Sequence, residues 1–181
     1  MTIDLLPGHG IRLPAPLPEL RFGLTEATVR RLLAPHHEAL PGGVHPTFVC
    51  GSGWALHFTL PGVGVTLCSG QGERLRTVFL SRCPVEPAEG AAACPVGLHG
   101  VDVFGRPAHE VVEALRAGGL PVPDPAHGNV RYDTLHLGRN TPVRWAPAGG
   151  RKPRHEPPFT FGLVSLSSPQ AHPSPPHQES T

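Results

Sequence analysis

Phe22-Gly23-Leu24-Thr25-Glu26-Ala27-Thr28-Val29-Arg30-Arg31-Leu32-Leu33 is the stretch on which the fold turns. Thr25 suits an N-cap, because its hydroxyl can accept from the unpaired amides of the following turn. Glu26 then sits near the positive end of the helix dipole. Val29, Leu32 and Leu33 recur at i, i+3, i+4 and give one apolar face, and Pro35 is expected to stop the helix. The same signature returns 82 positions later as Phe104-Gly105-Arg106-Pro107-Ala108-His109-Glu110-Val111-Val112-Glu113-Ala114-Leu115, with Phe, Gly, Val and the final Leu in register. Pro107 fits the first helical position, where its missing amide costs nothing. Val111, Val112, Ala114 and Leu115 form the apolar side, and Gly118-Gly119 supplies a left-handed cap.

Outward from these helices the sequence reads as short strands. Residues 1–21 suggest a strand, a Pro7-Gly8-His9-Gly10 turn and a proline-restricted extended segment through Pro14, Pro16 and Pro18. Residues 44–82 predict an antiparallel meander of Phe48–Cys50, Trp54–Leu60, Val63–Cys68 and Leu75–Leu80, punctuated by glycine turns. In its second strand Trp54, Leu56, Phe58 and Leu60 point one way, and Ala55, His57 and Thr59 the other. That alternation marks a sheet with one face on a core and one wet. After the second helix, Val130–Leu137, Val143–Ala146 and Phe159–Leu166 are further strand candidates. The division that follows is a first helix-plus-meander repeat over 1–82, a Pro/Ala linker over 83–95, a second repeat over 96–166 and a tail over 167–181. That tail has no large apolar residue to offset the entropy of ordering and is expected to be disordered. The fold class is α+β: two tandem repeats, each a short helix packed on a small antiparallel sheet, joined in one unit.

Composition limits function more than it reveals it. The chain has 181 residues, 39% hydrophobic and 16% charged, so it can build a core. Its 22 glycines and 24 prolines favour many short elements over long helices. A net charge of +1 gives no general drive towards nucleic acid or anionic lipid. Lys152 is the single lysine, and the Arg, Ala, Gly and Pro bias fits a gene rich in G and C, with no arginine-rich surface implied. No basic n-region with an apolar core opens the sequence, and no stretch reaches the roughly 18–20 apolar residues of a membrane span. The expected location is the cytoplasm, with Cys50, Cys68, Cys83 and Cys94 as reduced thiols.

Each chemical motif has a plainer explanation beside it. Cys50 or Cys68 with His57 could compose a thiol–imidazole pair for a small hydrolase, but no nucleophile elbow surrounds either cysteine, and a buried cysteine behaves as a small hydrophobe. Glu110 and Glu113, with Asp102 nearby, could be paired acids; Glu110 is explained by the helix dipole. His36-His37 lacks further ligands at metal spacing, and the ten residues between Cys83 and Cys94 match no zinc knuckle. Gly8-His9-Gly10 is too short to cradle a phosphate. Arg139, Arg144, Trp145, Arg151, Lys152, Arg154 and His155 have the composition of a phosphate-tracking loop, and equally of a solvated turn. No cofactor and no metal is implied.

The pattern of a lead-in strand, Phe-Gly and a helix with Val and a final Leu, carried by Phe-Gly-Leu-Thr within 8–35 and by Phe-Gly-Arg-Pro within 96–117, resembles the repeat unit of the outer-membrane-assembly lipoprotein and β-lactamase-inhibitory-protein superfamily. Gly100–Leu115 is also similar to a segment of actinobacterial two-repeat proteins. The resemblance implies a scaffold used for protein binding, with no catalytic residues to carry over. The expected function is thus a non-enzymatic intracellular binding protein, of immunity or inhibitor type, whose partner is another protein and neither a membrane nor a nucleic acid. Trp145, Arg144, Arg139 and His57 are the candidate contact residues, because aromatic and arginine side chains dominate interface energetics.

Overall fold

In the computed structural model, which describes residues 1–83, 93–139 and 159–169, both Phe-Gly stretches lead into helices. Helix α1 spans Glu26–Leu33. Its cap is Thr25, whose Oγ1 accepts from the Thr28 amide at 3.3 Å. Glu26 and Arg30 pair across one turn at 2.8 Å. Val29 and Leu33 are its buried side chains. The helix does not stop at Pro35 but runs into a 3-10 segment, Ala34–Ala39, since a proline in a first turn forfeits no internal hydrogen bond. Helix α2 spans Ala108–Ala117 with Pro107 one position earlier, at the cap. It buries Ala108, Val111, Val112 and Leu115, and Gly119 ends it at φ +86°.

The strands are β1 (Ile3–Leu6), β2 (Gly10–Arg12), β3 (Glu19–Arg21), β4 (His45–Pro46), β5 (Ala55–Leu60), β6 (Val63–Cys68) and β7 (Thr77–Arg82) before the linker region. After it come β8 (Val96–Leu98), β9 (Val101–Asp102), β10 (Asn129–Tyr132), β11 (Leu135–Gly138) and β12 (Leu163–Ser167). They form two sheets, a five-stranded one in the order β3-β2-β1-β8-β9 and a seven-stranded one in the order β10-β11-β12-β7-β6-β5-β4. The smaller sheet is mixed, because β1 and β8 run parallel with Ile3 opposite Val96. The larger is antiparallel throughout.

This corrects the expectation of a private sheet under each helix. The lead-in strands of both halves pair with each other, and so do the meanders, through β7 and β12. Strand bounds also move: Leu75–Leu80 becomes Thr77–Arg82 and Trp54–Leu60 becomes Ala55–Leu60. Phe48–Cys50 is loop, with Phe48 86% exposed, and the edge strand is His45–Pro46. Val130–Leu137 is a hairpin, since Asp133 takes φ +50° and turns the chain between β10 and β11. The Phe159–Leu166 strand begins at Leu163, while Thr160 makes an isolated bridge to Pro107. Val143–Ala146, nearly all of the linker and most of the tail lie outside the described residues.

Register explains the core. Phe58, Val65, Leu80, Val164, Leu137 and Val130 stand opposite one another in a single line across β5, β6, β7, β12, β11 and β10, and all are buried. Leu56, Leu67, Val78, Leu166 and Leu135 form the next buried line. These side chains join one apolar cluster with Ile3, Ile11, Leu20, Val96 and Leu98 of the smaller sheet and the buried faces of both helices. Each fully buried Leu or Phe contributes roughly 1.5–3 kcal/mol relative to exposure. Backbone bonds tie each helix lead-in to the chain just ahead of a central strand: Gly23 donates to Leu75, before β7, at 2.9 Å, and Ala108 to Phe159, before β12, at 2.8 Å.

Candidate functional site

The strand period that buries one line of side chains turns the alternate line outward. His57, Thr66, Phe79, Ser165, His136 and Arg131 lie opposite one another across the same six strands. The first five are half-buried and Arg131 is exposed. A parallel line holds Thr59, Gly64, Ser81, Leu163, Gly138 and Asn129. This outer face of the larger sheet is the candidate site.

Its side chains are held by short-range bonds. His57 Nδ1 and Thr66 Oγ1 are 3.0 Å apart, and His136 Nε2 lies 3.0 Å from Asn129 Oδ1. Burial lowers the His136 pKa from its ordinary value, and the Arg131 charge lowers it further. Gly64 leaves a gap between β5 and β7. A Cβ there would lie 3.0 Å from Ser81 Oγ, 3.2 Å from His57 Cε1 and 3.6 Å from Cys83 Sγ. A hydroxyl, an imidazole and a thiol therefore border one space that is too tight for a methyl group unless a neighbour shifts.

Of the residues singled out in the sequence, His57 occupies this face. Arg139 follows β11 and stacks its guanidinium on the Phe159 ring at 5.4 Å from the centroid. In strand order it is separated from His57 by β12, β7 and β6, so the two do not converge. Arg144 and Trp145 lie outside the described residues. Trp54 is half-buried and donates from Nε1 to the Glu73 carbonyl at 2.8 Å. Phe79, Ser165 and His136 were not singled out in the sequence. The available signal was alternation in Thr77–Arg82 and Leu135–Gly138, the pattern that identified His57 in β5.

The remaining reactive groups do different work. Cys68 is buried, its thiol donates to the Thr77 carbonyl at 3.6 Å, and burial pushes its pKa up to about 11. Burial also raises Cys94, while Cys50 is exposed in a loop. Asp102 Oδ1 accepts from the amides of Phe104 and Gly105 at 3.1 Å each and of Val96 at 3.4 Å, which makes it a turn-builder. Glu110 and Glu113 are exposed on α2. Among the described residues no group of three or more His, Cys, Asp or Glu side chains is gathered around a metal position. An open concavity of about 240 Å³ lies at the end of α1, lined by Arg30, Leu33, Ala34, His37, Leu40, Gly43 and Val44. Among the described residues no helix is long and apolar enough to cross a membrane. No protein-family model, curated protein or solved structure matches the chain.

Proposed function

We propose that the chain is a non-enzymatic protein-binding protein, acting inside the cell as an immunity or inhibitor type, and that the outer face of the larger sheet is its contact surface. The observation that carries this reading is the line His57-Thr66-Phe79-Ser165-His136-Arg131. It sets a half-buried aromatic among hydroxyls and imidazoles on a broad sheet, the composition of an apolar contact centre with a polar rim. Cys68, one of the two cysteines of the rival hydrolase reading, is held protonated by burial, which is unsuited to a nucleophile.

The same reading takes the two halves as copies of one unit. Three correspondences support it. Each helix start bridges to the chain three residues before a strand: Thr25 to Arg74 ahead of β7, and Pro107 to Thr160 ahead of β12. The larger sheet runs β7-β6-β5 outward from one side of its central seam and β12-β11-β10 from the other. Gly64 and Gly138 occupy matching places on the outer line of the two halves. The superfamily resemblance of the Phe-Gly stretches points the same way.

Affinity capture from the source cell with the full chain and its Phe79→Asp variant tests the proposal. A partner retained by the parent and lost from a folded variant is expected. Equal retention by both would remove the outer face from the binding surface. Turnover of an ester or amide substrate that vanishes in His57→Gln would replace the binder by an enzyme.

A further inference from the structure

The seven strands of the larger sheet contain no aspartate or glutamate. Their ionisable nitrogen side chains are His45, His57, His136, Arg82 and Arg131, and three of these, His57, His136 and Arg131, stand on the one outer line. His45 is directly opposite His57 on the edge strand and so extends the same face. The smaller sheet is built on the opposite plan. Glu19, Arg12 and Asp4 stand in line across β3, β2 and β1, and Arg12 lies 3.3 Å from Glu19 and 3.9 Å from Asp4. Arg21 adds a contact to Glu19 at 2.7 Å. In that line each charge meets its opposite within the chain, while Asp102 on β9 accepts from backbone amides. On the larger sheet no strand supplies a carboxylate to meet the imidazoles or Arg131.

Resting on the binding reading above, we infer that the partner of the larger sheet is an acidic protein surface, one that places carboxylates around an apolar contact over Phe79 and Leu163. Carboxylates approaching this face meet the donors that the fold leaves on it, the His57 imidazole, the hydroxyls of Thr66, Ser81 and Ser165 and the Arg131 guanidinium at the edge, while His136 gives its Nε2–H to Asn129 Oδ1. No strand carboxylate repels them, and such one-signed complementarity selects partners and orients encounter. The half-buried Phe79 and Leu163 provide the central patch from which water is excluded. A nucleic acid fits less well. The strands offer two arginines and no lysine, too few fixed cations to track a phosphate chain, and the whole chain carries only +1.

A random peptide library displayed on phage, selected at neutral pH against the immobilised full chain, tests the inference. Binders should be rich in Asp and Glu with an aromatic or aliphatic anchor. They should lose affinity for Phe79→Asp, weaken about tenfold against Arg131→Glu, and weaken as salt is raised. Ser165→Glu, which sets a carboxylate against the acidic binders, serves as a second face variant should Phe79→Asp unfold, with thermal melting as the check on both. Binders that depend on the face but show no acidic enrichment overturn this inference and leave the contact surface standing. Binders indifferent to both face variants, or an empty selection, overturn the two together. Tight, steeply salt-dependent retention of a mixed-sequence oligonucleotide that is lost in Arg131→Glu assigns the face to nucleic acid and also overturns the inference.

Discussion

The two Phe-Gly pairs predict opposite outcomes for the same substitution in a thermodynamic cycle. A Cβ built on Gly105 would fall onto Asp102 Oδ2 and lie 2.9 Å from its Cγ, so Gly105→Ala must displace the carboxylate. That carboxylate holds the Phe104 and Gly105 amides at 3.1 Å and the Val96 amide at 3.4 Å. Losing charge-assisted bonds to partly buried amides, with some recovered by water, is expected to cost about 2–3 kcal/mol. Gly105→Ala and Asp102→Ala remove the same bonds, so each should cost about that much and the double variant scarcely more, a coupling of about 2 kcal/mol. Gly23 differs. Its φ is +88° and no atom lies within 4 Å of a built Cβ, so Gly23→Ala should cost about 1–2 kcal/mol from backbone conformation alone. It should add independently to Asp102→Ala. Urea unfolding followed by far-ultraviolet circular dichroism gives the free energies, and melting should fall by about 2–4 °C per kcal/mol for a chain of this size. Additivity of Gly105→Ala with Asp102→Ala within about 0.5 kcal/mol would refute the collision.

Thr25→Ala should destabilise the protein by about 1 kcal/mol through loss of the α1 cap, and Thr25→Ser should not, as read from denaturant midpoints. Leu80→Ala, on the buried face of β7, should cost about 2–5 kcal/mol, and Phe79→Ala on the opposite face markedly less; equal losses would contradict the assigned faces. The Cys68 thiol is raised to about 11 in the fold, so the unfolded chain releases this proton first as pH rises. Stability is therefore expected to decline from about pH 8.5, the ordinary thiol value, towards pH 11, and Cys68→Ala should flatten that slope in melting curves.

What the sequence disclosed, and what it hid, divides by the range of the interactions. Both helices were legible because cap, apolar spacing and terminator lie within a dozen residues. The β5–β6 hairpin was legible for the same reason, with Pro61-Gly62 between two alternating runs. The sheets were not. Ile3 beside Val96 and Phe79 beside Ser165 are pairings between distant segments, and nothing local to either strand names its partner. Asp133 in a left-handed conformation hid a hairpin inside what reads as one continuous strand, and Phe48 had strand composition without a strand to pair with beyond His45–Pro46. In the site, His57 was readable from alternation. Phe79 obeys the same alternation in Thr77–Arg82, but a large aromatic residue invites a core assignment, and only the register with Thr66 and Ser165 places it on the outer line.

The position of Phe79 ties architecture to the binding reading. It lies on β7, and its neighbour Ser165 lies on β12, the strands through which the two halves of the larger sheet meet. The centre of the outer face is therefore made jointly: one half brings His57, Thr66 and Phe79, the other Ser165, His136 and Arg131. Neither half alone presents an aromatic centre with donors on both sides. Helices α1 and α2 contribute their buried residues to the same core as the inward lines of that sheet, and on the outer face the Thr59 hydroxyl donates to the Pro41 carbonyl at 3.2 Å. If two copies of one unit were joined, the contact surface is what the joining created, and the Phe-Gly helices are the part that each copy brought to hold it flat.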